Sequence, residues 1–508
     1  MSEIHKSPIV VDKDVLEPYL SEFRLQVACD GIHIQWAKGN PRHPRNWSLL
    51  RKVHDASLII FLELFTTAIS TAGSTTAHYA AGEFGIRKEL SIFLFVSIYL
   101  LGQGIGAIIF PPYSEAFGRK NLYIVSTALY SVACVIVASV HCLSGVVIGR
   151  FVSGFLSAIP TTVVMGSIED MFNSKDRVWM VCCWAVVSNL GLIVGPIMST
   201  FVTADLGWRW LFYLATIVTG GLALLLLGIR ESRPSMALAK EVAKLRKATQ
   251  IETLEGLNPD ETPDWQTFVR IALFRPARLF FTELIVFIVS IMSAVAIALV
   301  YLFTEVLPPV YEEFGFSPKQ ACLPFLAIGI GLAFGVLTRC LDLHIIEKHR
   351  QQGRPLLPEH KLAGFWIGTP ILAGALWVFA WTIPPEVTNV HWTVSTLALV
   401  LIGYALNEID YVLSGYLTDS YLSYAASGLA ALSLVRALLS AALPLIAVPM
   451  FSDLGANVAV SVLAAIATVF CLVPPLFSRY GETIRARSQF AKYSLRMYNE
   501  SSVDENGY

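Results

Sequence analysis

Beyond residue 53 the chain runs in long apolar blocks cut by short polar turns. Twelve blocks can be drawn, at about 54–77, 91–111, 122–141, 145–167, 179–202, 209–229, 279–303, 321–340, 362–383, 392–414, 422–450 and 455–477. Each is close to the ~20 mainly apolar residues that a helix needs to cross a bilayer. A soluble helical protein would show an amphipathic period with broad polar faces, and these blocks lack it. The pattern predicts an all-α integral membrane protein with twelve transmembrane helices. Internal Gly and Pro fit this reading, because neighbouring helices and Ser/Thr side chains satisfy the backbone groups that they free.

Composition agrees: 55% of the residues are apolar and 15% charged, against about 25% charged in an average soluble domain. The basic residues then set an orientation. With the N-terminus in the cytosol, 31 of the 37 Lys and Arg fall in cytosolic segments. Arg87, Lys88 and Lys319 are left outside, and Arg150, Arg209 and Arg436 in or at the edge of spans. Positive charge collects on the cytosolic side, so both termini are expected there. The expected location is the plasma membrane, with a vacuolar or vesicle membrane as the alternative. The first 50 residues hold no apolar h-region, so no cleavable signal peptide is expected. The sequons at Asn46 and Asn499 should then stay unmodified. Topology accounts for the basic rims and net charge is −1, so nucleic acid is not an expected partner. The eight cysteines show no CxxC and no zinc spacing. They read as small apolar fillers, with no metal and no cofactor implied.

The blocks divide six and six: a cytosolic tail (1–53), a first bundle (54–229), a cytosolic linker (230–277), a second bundle (278–477) and a second tail (478–508). A faint repeat relates Glu63 to Glu283 and Glu115 to Asp342. Two pseudo-symmetric six-helix bundles with a long central linker is the layout of transporters built from parallel repeats, whose substrate site lies at the midplane between halves. In the linker, "MALAKEVAKLRKATQ" puts Leu238, Val242 and Leu245 on one helix face. That predicts a short amphipathic helix lying on the membrane surface, or a solvated helical linker.

Several motifs carry a family resemblance. "PYSEAFGRK" (112–120) resembles the signature loop of the major facilitator superfamily, with Glu115, Gly118, Arg119 and Lys120 at its acidic, glycine and basic positions, and Pro111 in place of its leading glycine. "GRFVSG" (149–154) resembles the superfamily's membrane arginine motif, with Arg150 as the charge. "GLIVGP" (191–196) resembles the motif associated with antiporters, although Ser199-Thr200 departs from its continuation. "ESRPS" (231–235), "RPARLFFTELIV" (275–286) and "GYLTDSYLSYAAS" (415–427) look like the fungal twelve-helix drug:proton antiporter branch, with Leu284 where that branch has Pro. The resemblance implies a monomeric, proton-driven exporter of drugs or secondary metabolites.

The residues can be read chemically beside that resemblance. A carboxylate and two cations on one tight turn, with Asp342 as counterpart in the second half, form a candidate gate that pairs in one state and parts in another. Gly191 and Gly195 make a small-xxx-small packing surface, and Pro196 removes a backbone donor, so helix five is a candidate hinge. Within "GYALNEIDY" (403–411) lie Asn407, Glu408 and Asp410, and a carboxylate at a helix centre costs roughly 2.5–3.5 kcal/mol on the most lenient scale. Glu63, Arg150, Glu283, Glu408 and Arg436 are therefore expected to face a cavity or one another. Two readings stand for each: a proton-coupling or substrate role, or a structural ion pair such as Glu408 with Arg436. For Glu283 a contact at the helix end would also suffice. Asn189 is a candidate lining residue. A Glu exposed to each side in turn, with its cation partner changing distance, takes up a proton on one side and releases it on the other.

The apolar, aromatic-rich spans suit amphipathic organic substrates better than sugars. The rival transport modes are proton-driven uptake and facilitated diffusion. An intramembrane transferase has little support: the DxxxD stretch "DETPD" (260–264) falls in the polar linker, and HxxxxD is absent. The chain is read as a transporter, not an enzyme.

Overall fold

The computed structural model describes residues 13–28, 33–257, 265–352, 357–387, 389–421 and 424–492. The Asn499 sequon and the "DETPD" stretch lie outside them. Among the described residues, twelve helices are long and apolar enough to cross a membrane. Those of the first half are Leu49–Thr71, Lys88–Phe117, Lys120–Ser139, Leu143–Met171, Trp179–Leu206 and Trp208–Leu226. Those of the second are Leu284–Glu313, Phe325–Asp342, Ala363–Ala380, Trp392–Tyr421, Ala425–Leu454 and Ala456–Arg487. They are called membrane helices one to twelve below.

Their packing has an internal symmetry. Helix one lies against five, two against four and three against six; seven lies against eleven, eight against ten and nine against twelve. Adding six to each number of the first set yields the second. The halves meet chiefly through helix two on eleven and helix five on eight, which the same rule exchanges. Close approach at these seams depends on glycine. A Cβ at Gly154 would overlap the Tyr99 carbonyl of helix two, and one at Gly191 would lie 2.5 Å from the Leu64 carbonyl of helix one. One at Gly195 would clash with Ala68 O. The "GLIVGP" spacing is thus the packing surface of helix five on helix one, where backbones touch because no side chain intervenes.

Several element ends differ from those expected. Helix ten runs on to Tyr421 and helix seven to Glu313, while helix one begins at Leu49. The added turns carry polar residues, of which Lys52, Thr304 and Ser420 are buried while Glu312 and Glu313 are exposed. Arg339, counted with the cytosolic loop residues in the sequence reading, lies inside helix eight and is 3% exposed.

The linker helix also departs from expectation. It forms as α2 (Pro234–Thr249), but its apolar face is not free to lie on a membrane. The N-terminal segment folds onto it as α1 (Lys13–Phe23), β1 (Leu25–Val27) and β2 (His33–Trp36). β2 pairs antiparallel with β1 and parallel with β3 (Glu255–Gly256) of the linker. Leu16, Leu25, Ile34 and Trp36 of the tail and Leu238, Val242, Leu245 and Leu254 of the linker make a small core of their own. An amphipathic stripe states that something apolar must cover it, not whether that is lipid or protein.

Candidate functional site

One buried charge cluster is in the second half. Glu408, on helix ten, is fully buried. It accepts a hydrogen bond from the Arg339 guanidinium of helix eight. Arg339 also bonds Asp342, one turn further on, at 2.5 Å, and its guanidinium stacks 4.0 Å from the centre of the Tyr411 ring. Two glycines make room for the carboxylate. A Cβ at Gly364 of helix nine would clash with Glu408 Oε2, and one at Gly335 of helix eight would lie 3.1 Å from Oε1. Oε1 accepts no hydrogen bond among the described residues. The pair is thus shielded from solvent, with one carboxylate oxygen left over.

A second pair stands beside it. Arg436 of helix eleven donates to Asp410 and, at 2.7 Å, to Ser293 of helix seven, whose hydroxyl in turn donates to Asp410 at 2.6 Å. Arg436 thus has Asp410, not Glu408, as its carboxylate. Asp410 lies in mid-helix because helix ten is longer than its apolar run. Arg339 falls at the end of the 321–340 block and counts there among the cytosolic basic residues, so the sequence does not single it out as an intramembrane charge.

In the first half, Glu63 sits near the middle of helix one and is fully buried. Its carboxylate accepts hydrogen bonds from Trp184 Nε1 and, at 2.7 Å, from Ser188 Oγ, both on helix five. These are neutral donors, in contrast with the cations that hold Glu408 and Asp410. Arg150 of helix four donates to the Phe95 carbonyl at 2.8 Å and lies over the rings of Tyr99 and Phe212 at 4.4 and 5.4 Å. The Phe95 carbonyl belongs to a π-helical turn, Phe93–Ser97, in helix two. Wide turns of this kind loosen the regular ladder and occur often at functional sites. Glu63 and Arg150, both buried, do not pair with each other.

Between the halves, Asn189 Nδ2 donates to Asn407 Oδ1 at 3.2 Å. Both residues lie at the edge of a small, narrow cleft, lined with them by Leu192, Ile193, Ile297, Val300, Ile328, Leu332 and Leu406. The lining is drawn from helices five, seven, eight and ten, and Asn407 is the immediate chain neighbour of Glu408. Glu283 is not part of this region. It caps the start of helix seven and accepts from Tyr421 Oη at 3.0 Å, a contact at the helix end.

The signature loop is braced at the face that carries the N-terminal segment. The Arg119 guanidinium lies 3.1 Å from Asp170 at the end of helix four, which Arg233 approaches to 3.6 Å. Glu231 accepts the backbone N–H of Arg119 at 3.0 Å and of Lys120 at 3.1 Å. Gly118 allows this with φ of +90°, and a Cβ there would lie 2.8 Å from Glu231 Oε2. Arg119 therefore has Asp170 as its ion-pair partner, not Glu115, which lies in the field of Arg233 and Arg119. Asp342 is bound to Arg339 in its own half. Asp170, at the end of helix four, sits in no motif that would single it out, and Glu231, just beyond helix six, opens the "ESRPS" stretch without that motif indicating its role as acceptor for the signature loop.

At the opposite face the halves are tied directly. Ser70 bonds Tyr301 at 2.7 Å, and Ser97 donates to the Ala441 carbonyl at 2.7 Å. Glu305 accepts from Ser74 and lies 2.8 Å from His78 Nε2, and Lys319 pairs with Asp205. The conformation is closed on that side.

Comparison with known proteins agrees with this architecture. The model of the Major Facilitator Superfamily matches residues 56–444. The chain is 29% identical to the efflux pump radE of Floropilus chiversii, covering 89% of this chain and 84% of that protein. It is 31% identical to the multidrug transporter TPO1_2 of Candida glabrata, covering 90% and 79%. Among solved structures it is similar to the human organic anion transporter MFSD10, with a TM-score of 0.58 at 14% identity over 85% of this chain and 99% of that one. With a family match over most of its length and six-plus-six helix packing, the chain belongs to the major facilitator superfamily of membrane transporters.

Proposed function

We propose that this transporter is a proton-coupled exporter of amphipathic organic molecules, a drug or a secondary metabolite. It acts as a monomer by alternating access between bundles 54–229 and 278–477. We assign it to the plasma membrane with both termini in the cytosol. The observation that carries the reading is Glu408: a fully buried carboxylate with an unpartnered oxygen, paired to Arg339 and adjacent in sequence to the cavity-lining Asn407. Protonation of Glu408 weakens its hold on Arg339, and the helix ten–helix eight seam that this pair bridges borders the cavity. Proton occupancy and cavity shape are thereby linked. Asp410 with Arg436 and the neutral-donor site at Glu63 are auxiliary coupling positions. Asn189 and Asn407 orient the polar end of a substrate whose body meets Leu, Ile and Val.

Export is favoured by the printed functions of the relatives, an efflux pump and a multidrug transporter, and the apolar lining suits an amphipathic cargo. The gate is assigned to Glu115, Gly118, Arg119 and Lys120 with Asp342, and the hinge to Gly191, Gly195 and Pro196. The test is deletion of the chain in its host followed by metabolite profiling of cells and medium. An exporter leaves its substrate retained inside the deletion strain. Depletion of a compound inside the cells, with accumulation in the medium, would instead establish uptake. The identified compound is then offered to reconstituted vesicles with an imposed pH gradient. Transport indifferent to the gradient would overturn proton coupling.

A further inference from the structure

The unit that the N-terminal segment builds with the linker has a mechanical consequence independent of what is carried. Its core residues Leu16, Ile34, Leu245 and Leu254 are all at most 4% exposed. Trp36 Nε1 donates to the Pro234 carbonyl at 3.2 Å, Arg42 pairs with Glu241, and Leu257 N donates to the Ile34 carbonyl at 2.9 Å. The unit is fastened to the first half at both of its roots. Lys52 Nζ donates to Arg45 O at 2.8 Å, and Trp47 is buried in the membrane-domain core. Arg230 N donates to Asp55 Oδ2 at 3.1 Å, with Arg51 bonded to Gly228 O. On the far side of the linker, α3 (Trp265–Val269) leads into α4 (Arg275–Thr282). There Leu279 is buried, Arg275 stacks on Tyr424 of the second bundle, and Arg278 on Phe490 of the tail that follows it.

We propose that the N-terminal segment is a clasp that shortens the connection between the halves and so limits how far they separate at this face. The arithmetic follows from chain geometry. If the linker were unattached from Ile229 onward, 36 residue steps to Trp265 would reach about 120–130 Å and restrain nothing. With the linker fastened through Leu257, eight steps remain, a reach of at most about 29 Å. The core has a further property that suits a clasp. It is small and separate from the main core, so it can open without unfolding the membrane domain.

The test uses the full chain in detergent, with spin labels at Phe117→Cys and Tyr480→Cys, both exposed, in a cysteine-free background. Leu245→Asp places a carboxylate in the clasp core. A second variant inserts about ten Gly/Ser residues after Leu257, adding up to roughly 35 Å of reach with the core intact. Both should spread the label-to-label distances toward longer values. Leu245→Asp alone should also raise trypsin cleavage at Lys240–Lys247 about tenfold, since cleavage follows the opened population. Unchanged distances in both folded variants would overturn the proposal, as would spreading in Leu245→Asp without it in the insertion variant. Should Leu245→Asp fail to fold, the insertion variant decides alone. Unchanged trypsin sensitivity in a folded Leu245→Asp protein would show that the clasp does not hold in solution.

Discussion

Arg339 is the residue whose removal should separate the candidate ion pair from the rest of the core. Its guanidinium holds two carboxylates, Glu408 and Asp342, and stacks on Tyr411. Arg339→Met keeps most of the volume but strands Glu408 away from water and takes the cation from the partly exposed Asp342. Breaking a buried pair by removing one partner destabilises by about 3–5 kcal/mol. Glu408→Gln is milder, because Arg339 retains Asp342 and the Gln carbonyl still accepts. Loss of one charge-assisted hydrogen bond is worth roughly 1.5–3 kcal/mol. The double variant Arg339→Met/Glu408→Gln removes the stranded charge at position 408 and should recover about 1–3 kcal/mol relative to the sum of the singles. Denaturation followed by tryptophan fluorescence in detergent measures all three.

The same variants test function in vesicles. Glu408→Gln imitates the protonated state, so uphill transport driven by a pH gradient should vanish while substrate-for-substrate exchange survives. Additive losses in the double variant would refute the coupled pair. Normal uphill transport by a folded Glu408→Gln protein would refute the carrier role and leave Glu63, with its neutral donors, as the first candidate.

Other expectations follow from single contacts. Gly195→Leu drives a side chain into the Ala68 carbonyl and should destabilise by at least the roughly 1–3 kcal/mol of ordinary overpacking, read as a lowered midpoint in the same denaturation assay. Arg119→Ala and Asp170→Asn remove the two ends of one ion pair. Each should slow transport while leaving equilibrium substrate affinity within a few fold, and a large affinity loss with unchanged turnover would point to direct binding instead. Burial, with Arg45 and Lys52 close by, holds His43 down at about 4, and its ring accepts the Arg45 N–H at 3.1 Å. A depressed histidine contributes stability that is complete above its ordinary value of 6.5 and is lost as pH falls from 6.5 toward 4. His43→Asn should flatten that part of the stability–pH curve. Finally, Asn46 Nδ2 donates to Asn40 O at 2.9 Å, and mass spectrometry of native protein should find no glycan there; a glycan would invert the proposed orientation.

Much of the architecture could be read from one dimension. Twelve apolar blocks sufficed for twelve spans, since in a bilayer the helix is the local solution to backbone hydrogen bonding. "GLIVGP" announced a close helix contact, because a glycine's missing side chain has the same meaning whichever partner fills the space. Glu63, Glu408 and Asn407 stood out for a similar reason: a polar group in an apolar run demands an explanation before its neighbours are known.

What the chain alone left open is who meets whom. Arg436 took Asp410 rather than Glu408, and Arg119 took Asp170 rather than Glu115. Helix eight carried Arg339 into the interior, although hydropathy had set that residue at a loop edge. Pairings of this kind depend on helix rotation and depth, to which composition is blind. The linker helix makes the same distinction. Its stripe of Leu238, Val242 and Leu245 determined that an apolar surface had to be covered, but only the tertiary structure decided that the N-terminal segment would cover it. Burying apolar area is favourable against lipid or protein alike, and the choice rests on geometry set by residues some two hundred positions away.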